Sequence, residues 1–140
     1  MNHVFFTDRD LGRHFPEVLS AAGLTVERHD DHFAPDTADE DWLAEVGQRE
    51  WVALTHDRRI RHKPNELAAV TRHRVSLLVL VGAAPYPELA QAFVTTLPRV
   101  ETFLARNTPP FIGKVYRPSP ADLRRNASAP GRVELWYPRP

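Results

Sequence analysis

The sequence has no cysteine, so the chain forms no disulfide, offers no thiolate nucleophile and has no cysteine ligand for zinc. It also lacks any apolar run near the roughly 20 residues that cross a bilayer. The segment after Met1 lacks the basic flank and long apolar region of a secretory signal. We therefore expect a cytoplasmic protein without membrane contact, whose chemistry uses oxygen or imidazole groups.

A net charge is also lacking, but the charges are unevenly distributed. Residues 1–50 carry 12 acidic residues against 4 arginines, a net of −8, whereas residues 51–140 carry 14 basic against 6 acidic residues, a net of +8. This polarity predicts an acidic rim that collects metal beside a surface that meets phosphates. Two oppositely charged faces that only pair within the fold are the alternative.

Short apolar strands alternate with helical patterns along the first 106 residues of this 140-residue chain. The patterns predict strands at 3–7, 24–27, 51–55 and 75–81, and helices over 11–22, 38–47, 67–70 and 86–106. Thr37 and Glu40 have capping-box spacing before the second helix, and Pro98 should kink the last one. The alternation predicts an α/β fold of three αβα layers around a central, mostly parallel sheet.

Residues 107–140 have a different composition, rich in proline and basic residues. Two β-like pieces, 111–116 and 133–137, are predicted to pair as a hairpin across the loop 117–132. We expect one domain over 1–106, with 107–140 as an extension packed on it that covers the site or binds a partner. Base stacking by Trp136 is one reading of the aromatic residues here, and hairpin packing is the other.

Acidic residues stand where two of the predicted strands end. Asp8 and Asp57 each follow a strand, and Asp39 lies in the first turn of a helix. Because ligands of α/β sheets bind at the carboxyl ends of the strands, we expect these three carboxylates to converge as catalytic and metal-binding groups, with Asp10 as a supporting ligand. Mg²⁺ or Mn²⁺ suits such oxygen ligands, and phosphodiester hydrolysis is the chemistry they support.

Each acid also has a purely structural interpretation. Asp8 would cap a helix, Asp39 would be one of several acids in a first turn, and Asp57 would begin a turn. A basic segment follows Asp57, and its cations are predicted to bind RNA phosphates: Arg58, Arg59, Arg61 and Lys63. Neutralisation of the acidic first half is the alternative role of this segment.

Three segments, in this order, resemble the PIN-like domains of the VapC toxin group. They are Phe5 to Leu11, Asp39 to Leu43, and Val52 to Asp57, within a match of about residues 3–85. The resemblance implies a PIN-like nuclease domain at 1–106, a metal-dependent endoribonuclease, and commonly a bacterial toxin that an antitoxin inhibits. A homodimer is a further implication. By position, Asp8 matches the family's strand-end acid, Asp39 its helix acid, and Asp57 the acid of its Thr-x-Asp motif.

One position departs from that family pattern. Many relatives carry a further acid two residues after the Thr-x-Asp acid, whereas this chain has Arg59 there. Three interpretations of this departure stay open. Asp10 compensates for the missing acid, or the site holds one metal rather than two. In the third, the chain is a catalytically weak PIN-like module that binds nucleic acid or a protein.

Two other enzyme or signalling folds share part of the pattern. The run Phe5 to Asp10 resembles the Asp-x-Asp motif of haloacid dehalogenase-like phosphatases, but Leu11 and Gly12 follow it and no late pair of acids appears. A phospho-accepting receiver would need adjacent early acids and a later lysine than Lys114. Both fit less well than the PIN-like domain.

Overall fold

A computed structural model describes residues 3–138. Its strands, in chain order, are β1 (Val4–Thr7), β2 (Thr25–Arg28), β3 (Val52–Thr55), β4 (Ser76–Val81), β5 (Phe111–Tyr116) and β6 (Arg132–Tyr137). Its α-helices are α1 (His14–Ala21), α2 (His29–His32), α3 (Asp39–Gln48), α4 (Pro64–Arg72), α5 (Tyr86–Arg106) and α6 (Pro120–Arg125). Two 3₁₀ turns, Arg9–Leu11 and Ile60–His62, follow β1 and β3.

All the strands join one sheet in the order β2-β1-β3-β4-β5-β6. Pairing is parallel from β2 through β5, and only β6 runs antiparallel, against β5. From β1 the chain goes to β2 on one side and later to β3 on the other. The sheet therefore has a topological switch point between β1 and β3, where α/β sheets open a crevice at the carboxyl ends of their strands.

Alternating side chains of the strands build one core on each face of the sheet. Phe5 and Leu54 lie in the core covered by α1 and α5, whereas their neighbours Phe6 and Ala53 lie in the core covered by α3 and α4. Period-two alternation between apolar side chains produces two buried faces, so these strands need helices on both sides. The predicted α/β fold with αβα layers is confirmed.

Helix beginnings are the part of the fold that the sequence patterns predicted least well. The predicted cap of α3 by Thr37 is wrong, since Ala38 is the N-cap and no side chain caps this end. The helix predicted from Leu11 starts instead at His14, because Asp8 caps a 3₁₀ turn and Gly12, at φ +70°, separates that turn from α1. The predicted loop after β2 contains the one-turn α2.

The C-terminal strands extend the same sheet. β5 pairs in parallel with β4, and the predicted hairpin between β5 and β6 is present. Its connection contains α6, where Ser119 and Asp122 form a true capping box with reciprocal bonds of 3.0 and 3.1 Å. The long helix α5 continues through Pro98. Of the helices in residues 3–138, none combines the length and apolar character needed to span a membrane.

Candidate active site

An open cleft of about 500 Å³ lies at the switch point between β1 and β3. Its acidic lining comes from three parts of the chain: the turn after β1, the start of α3 and the turn after β3. The lining residues include all four predicted metal-binding carboxylates, and they are Asp8, Arg9, Asp10, His29, Pro35, Thr37, Asp39 and Asp57. The fold thus brings together acids that are up to 49 residues apart in the chain, from Asp8 to Asp57.

The first two acids share a buried hydroxyl. Thr55, the last residue of β3, lies 2.8 Å from an oxygen of Asp8 and 3.1 Å from one of Asp10. A hydroxyl has a single proton to donate, so it cannot fully satisfy both carboxylates at once. Its oxygen accepts the backbone N–H of Asp57 at 3.2 Å, while the backbone N–H groups of Arg9 and His56 donate to Asp8 and Asp10 respectively.

Burial and repulsion make this side of the cleft unfavourable for negative charge. Burial, followed by the neighbouring Asp10 carboxylate, raises the pKa of Asp8 from 3.8 to about 7, against the hydrogen bond from Thr55, and Asp39 adds to the rise. Burial is also the largest influence on Asp10, whose pKa is raised although His56 and Thr55 donate hydrogen bonds to it. A cation between these carboxylates would offset both the cost of burying their charge and the repulsion between them.

Asp57, on the other side of the cleft, already has a cation. Lys63 forms an ion pair with one carboxylate oxygen, and the backbone N–H of Arg59 donates to the other at 3.0 Å. Burial acts to raise the pKa of Asp57, but the hydrogen bonds and charges of Lys63 and Arg59 outweigh it and lower the pKa below 3.8. Lys63 is therefore committed to a carboxylate inside the site.

Asp39 is held by the helix that carries it. The indole N–H of Trp42, one turn later in α3, donates to the Asp39 carboxylate at 2.9 Å. Trp42 itself is fully buried and stacks on Phe6 of β1, so the sheet positions the helix acid through one aromatic contact. His29 also lines the cleft, and its buried Nδ1 has no hydrogen-bond partner within residues 3–138.

With this geometry established, the comparisons with known proteins identify the fold family. A sequence model described as PIN like domain matches residues 3–82, more than half of the chain. The chain belongs to the PIN-like domain family. Neither curated proteins nor solved structures provide a match to it. The PIN-like fold is a nuclease-type fold, and the matched segment contains the whole acidic lining of the cleft.

The donor chemistry of this PIN-like cleft suits a hard divalent cation. Its carboxylates offer oxygen ligands, and burial, followed by repulsion from Asp10, raises the pKa of Asp8, so a nearby cation would stabilise its charged form. Within residues 3–138, no three acidic or histidine side chains already stand in a metal-binding arrangement. An ion near Asp57 would share that carboxylate with Lys63.

Two residues that contact the acids of this cleft were not among the predicted site residues. Thr55 was not among the predicted site residues, although the Thr-x-Asp motif contains it, and the structure makes it the link between three acids. Trp42 was predicted only as part of an apolar stripe. Its signal was its position three residues after Asp39, the spacing at which helical side chains meet.

The predicted RNA-binding cations occupy two different environments. Lys63 is paired with Asp57 of the cleft, whereas Arg58 and Arg59 have exposed side chains. Arg61, in the 3₁₀ turn, lies over the ring of Trp136, with its Cζ atom 5.4 Å from the ring centroid. Three cations are thus placed outside the cleft, immediately after its third acidic segment.

Proposed function

We propose that this PIN-like domain is a Mg²⁺- or Mn²⁺-dependent endoribonuclease that hydrolyses RNA phosphodiester bonds. The observation that carries the proposal is the convergence of Asp8, Asp10, Asp39 and Asp57 on one open cleft at the switch point. Asp8, Asp39 and Asp57 act as the catalytic, metal-holding acids, and Asp10 supports them. The bound ion supplies charge neutralisation and activation of water for attack on a phosphate.

The chain's own side chains organise the acids for that reaction. The hydroxyl of Thr55, at the end of β3, orients Asp8 and Asp10, and Trp42 holds Asp39 at the start of α3. Exposed Arg58 and Arg59 lie beside the cleft and attract the RNA backbone by its charge. The open shape of the cleft leaves room for a polymer to pass through rather than end in it.

The biological role that we propose is that of a toxin in a bacterial toxin–antitoxin pair, acting in the cytoplasm. This part rests on the resemblance of three motifs to the VapC toxin group, and a homodimer would be consistent with it. A small antitoxin gene next to the coding sequence, whose product binds the protein and blocks cleavage, is the expected finding. Growth arrest on expression that the neighbouring gene product does not relieve would contradict the toxin role.

Cleavage assays test the nuclease proposal directly. Purified protein is incubated with single-stranded and structured RNA in Mg²⁺, Mn²⁺ or EDTA, alongside Asp8→Asn and Asp57→Asn. We expect metal-dependent cleavage that each substitution lowers by about 100-fold or more. Asp41→Asn is the matched control, because Asp41 lies in the same first turn of α3 as Asp39 but is exposed and outside the cleft.

The opposite result supports a second candidate function. The Lys63–Asp57 ion pair and Arg59 at the position of a further acid favour a catalytically weak PIN-like module that binds nucleic acid or a protein. No metal-dependent cleavage by the unmutated protein, or equal cleavage by Asp8→Asn and Asp57→Asn, would reject the nuclease and leave this binding module.

A further inference from the structure

A cluster of cations surrounds Trp136 of β6, beyond the part of the chain that matches the PIN-like family. The Lys114 Nζ atom lies 4.1 Å from the centroid of the indole ring, and the Arg61 Cζ atom lies 5.4 Å from it. The His62 ring meets the same indole edge-on at 5.9 Å. The 3₁₀ turn that follows the cleft and the C-terminal hairpin therefore meet on one aromatic ring.

These cations have no carboxylate partner within residues 3–138. In the part of the chain that the structure describes, neither Arg61 nor Lys114 takes part in an ion pair. Glu134 stands directly opposite Lys114 in the hairpin, but it accepts a hydrogen bond from the Tyr116 hydroxyl at 2.7 Å and faces Arg132 at 3.8 Å. Two like charges at one ring thus lack a counterion, which an external anion would supply.

Trp136 keeps the two cations in place. Its ring packs partly buried against the core on the α3 and α4 side of the sheet, so the ring is a fixed platform for Arg61 and Lys114. A cation on an aromatic face is attracted by the electron-rich ring, and it loses side-chain freedom before any ligand arrives. Side chains ordered in advance lower the entropic cost of binding an anion.

The position of this cluster identifies the kind of anion. Exposed Arg58 and Arg59 lie between Asp57 and the 3₁₀ turn and make no ion pair within residues 3–138, so unpaired cations continue from the cleft to the hairpin. A row of cations ending at an aromatic ring matches the way proteins hold single strands, whose phosphates repeat along the chain.

We propose that Arg61 and Lys114, ordered on Trp136, form a binding surface for single-stranded RNA that continues the substrate path out of the cleft. The proposal rests on the function proposed above for its choice of RNA. It assigns the hairpin a direct role, as the segment that holds the strand several nucleotides away from the cleaved bond. Trp136 is then a positioning residue that acts through the two cations.

Binding without cleavage tests this surface. A fluorescein-labelled single-stranded oligouridine of about 12 nucleotides is titrated in EDTA, and its anisotropy is followed as salt is varied. We expect Arg61→Gln and Lys114→Gln each to weaken binding by about 3- to 10-fold near 0.1 M salt. Each should also reduce the slope of log affinity against log salt by about 0.7, the value for one lost contact to a single strand.

A matched arginine provides the control. Arg106 ends α5, which packs on the face of the sheet opposite to Trp136; it is exposed and makes no ion pair within residues 3–138, so Arg106→Gln changes the charge equally without touching the surface. Trp136→Leu, checked for folding by circular dichroism, should weaken binding and leave both cations in the chain. The two surface substitutions, Arg61→Gln and Lys114→Gln, keep the test decisive if Trp136→Leu does not fold.

The outcomes separate this proposal from the nuclease proposal. Unchanged binding by Arg61→Gln and Lys114→Gln, or an equal loss in Arg106→Gln, would overturn the surface. A labelled polyglutamate peptide of similar length that binds equally tightly, with the same sensitivity to the two substitutions, would overturn RNA as the ligand and indicate an acidic protein. Binding is measured in EDTA and therefore does not depend on cleavage. If the protein binds this RNA but shows no cleavage in the separate Mg²⁺ or Mn²⁺ assay, only the proposed hydrolysis is rejected.

Discussion

The two neighbouring strands β1 and β3 each end beside an aspartate of the cleft, yet the two aspartates have opposite electrostatic environments. Asp8, after β1, is surrounded by carboxylates, and burial and repulsion raise its pKa to about 7. Asp57, after β3, is partly buried, but Lys63 and the Arg59 N–H outweigh that burial and lower its pKa. The surroundings of Asp8 thus disfavour its negative charge, whereas those of Asp57 stabilise the same charge at the neighbouring strand end.

This difference teaches that strand ends decide where the acids lie and the surrounding groups decide their charge. On the β1 side, negative charge lacks compensation, so an added cation is stabilised there most. On the β3 side, Lys63 already compensates Asp57 and competes with any ion for it. The charge of Asp57 is therefore stabilised less by an added ion than the charge of Asp8.

The largest expected effect comes from removing the hydroxyl that links the two sides. Thr55→Val keeps the shape of this fully buried residue but removes the hydroxyl within hydrogen-bond distance of Asp8 and Asp10 and the acceptor for the Asp57 N–H. Hydrogen bonds to charged groups contribute up to about 3 kcal/mol, so we expect kcat/KM for RNA to fall by roughly 100-fold.

The control is Thr102→Val, since Thr102 is exposed on α5 and its hydroxyl only donates within the helix, to Pro98 at 3.1 Å. Steady-state cleavage kinetics of both variants provide the measurement. Equal activity of Thr55→Val and Thr102→Val would show that the shared hydroxyl does not organise the acids.

Next in size is a pair of stability changes of opposite sign. Asp8→Asn should stabilise the metal-free protein at pH 8 by roughly 2 kcal/mol, because it removes a charge that the fold disfavours. The folded pKa of Asp8 lies above its unfolded value of 3.8, so this gain appears as pH rises from about 4 through 7 and is absent below that window. Asp57→Asn should instead destabilise by about 1 kcal/mol.

The Asp57 effect has the opposite pH dependence. Its folded pKa is lowered, so its stabilisation is present above 3.8 and is lost as pH falls through the folded pKa. Urea unfolding in EDTA compares Asp8→Asn at pH 4 and pH 8, and Asp57→Asn at pH 8 and at a pH below the folded pKa of Asp57, with Asp41→Asn as the exposed control. Destabilisation by Asp8→Asn at pH 8, or stabilisation by Asp57→Asn, would contradict the electrostatic difference between the two sides.

The smallest expected effect concerns metal affinity. Lys63→Gln removes the cation that competes for Asp57, so we expect Mn²⁺ to bind about 3-fold more tightly in calorimetry. Arg72→Gln, at the far end of α4, removes an equal charge outside the cleft and should leave the affinity unchanged. Weaker Mn²⁺ binding by Lys63→Gln would mean that Lys63 supports the site rather than competing for it.

The patterns predicted the sheet well because they reflect local constraints. Buried strands such as β3 and β4 are short, largely apolar runs, of which β3 ends at Thr55 and β4 is broken by Gly82, and this signal needs no knowledge of partners. Chain direction and right-handed crossovers then place the strand ends at one edge. The prediction that Asp8 and Asp57 lie near each other follows from these constraints, and both line the cleft.

Helix starts and side-chain partners were harder to predict. Thr37 has the right spacing for a cap, but the docking of α3 through Trp42 starts the helix at Asp39, with Ala38 as N-cap. The role of Lys63 depends on a 3₁₀ turn that returns its ammonium group to Asp57, six residues earlier. A basic run in a sequence does not distinguish cations that pair internally from those left for a ligand.

By itself, the sequence determined the α/β layering, the strands of the parallel sheet and the set of acids at its carboxyl edge, because hydrophobic period and strand ends are local properties of the chain. Only the tertiary structure decided which acids carry compensated charge, that Thr55 joins them, and that Arg61 meets Lys114 on Trp136. Those features depend on contacts between distant segments, whose energies arise from burial and from charges a few ångströms apart.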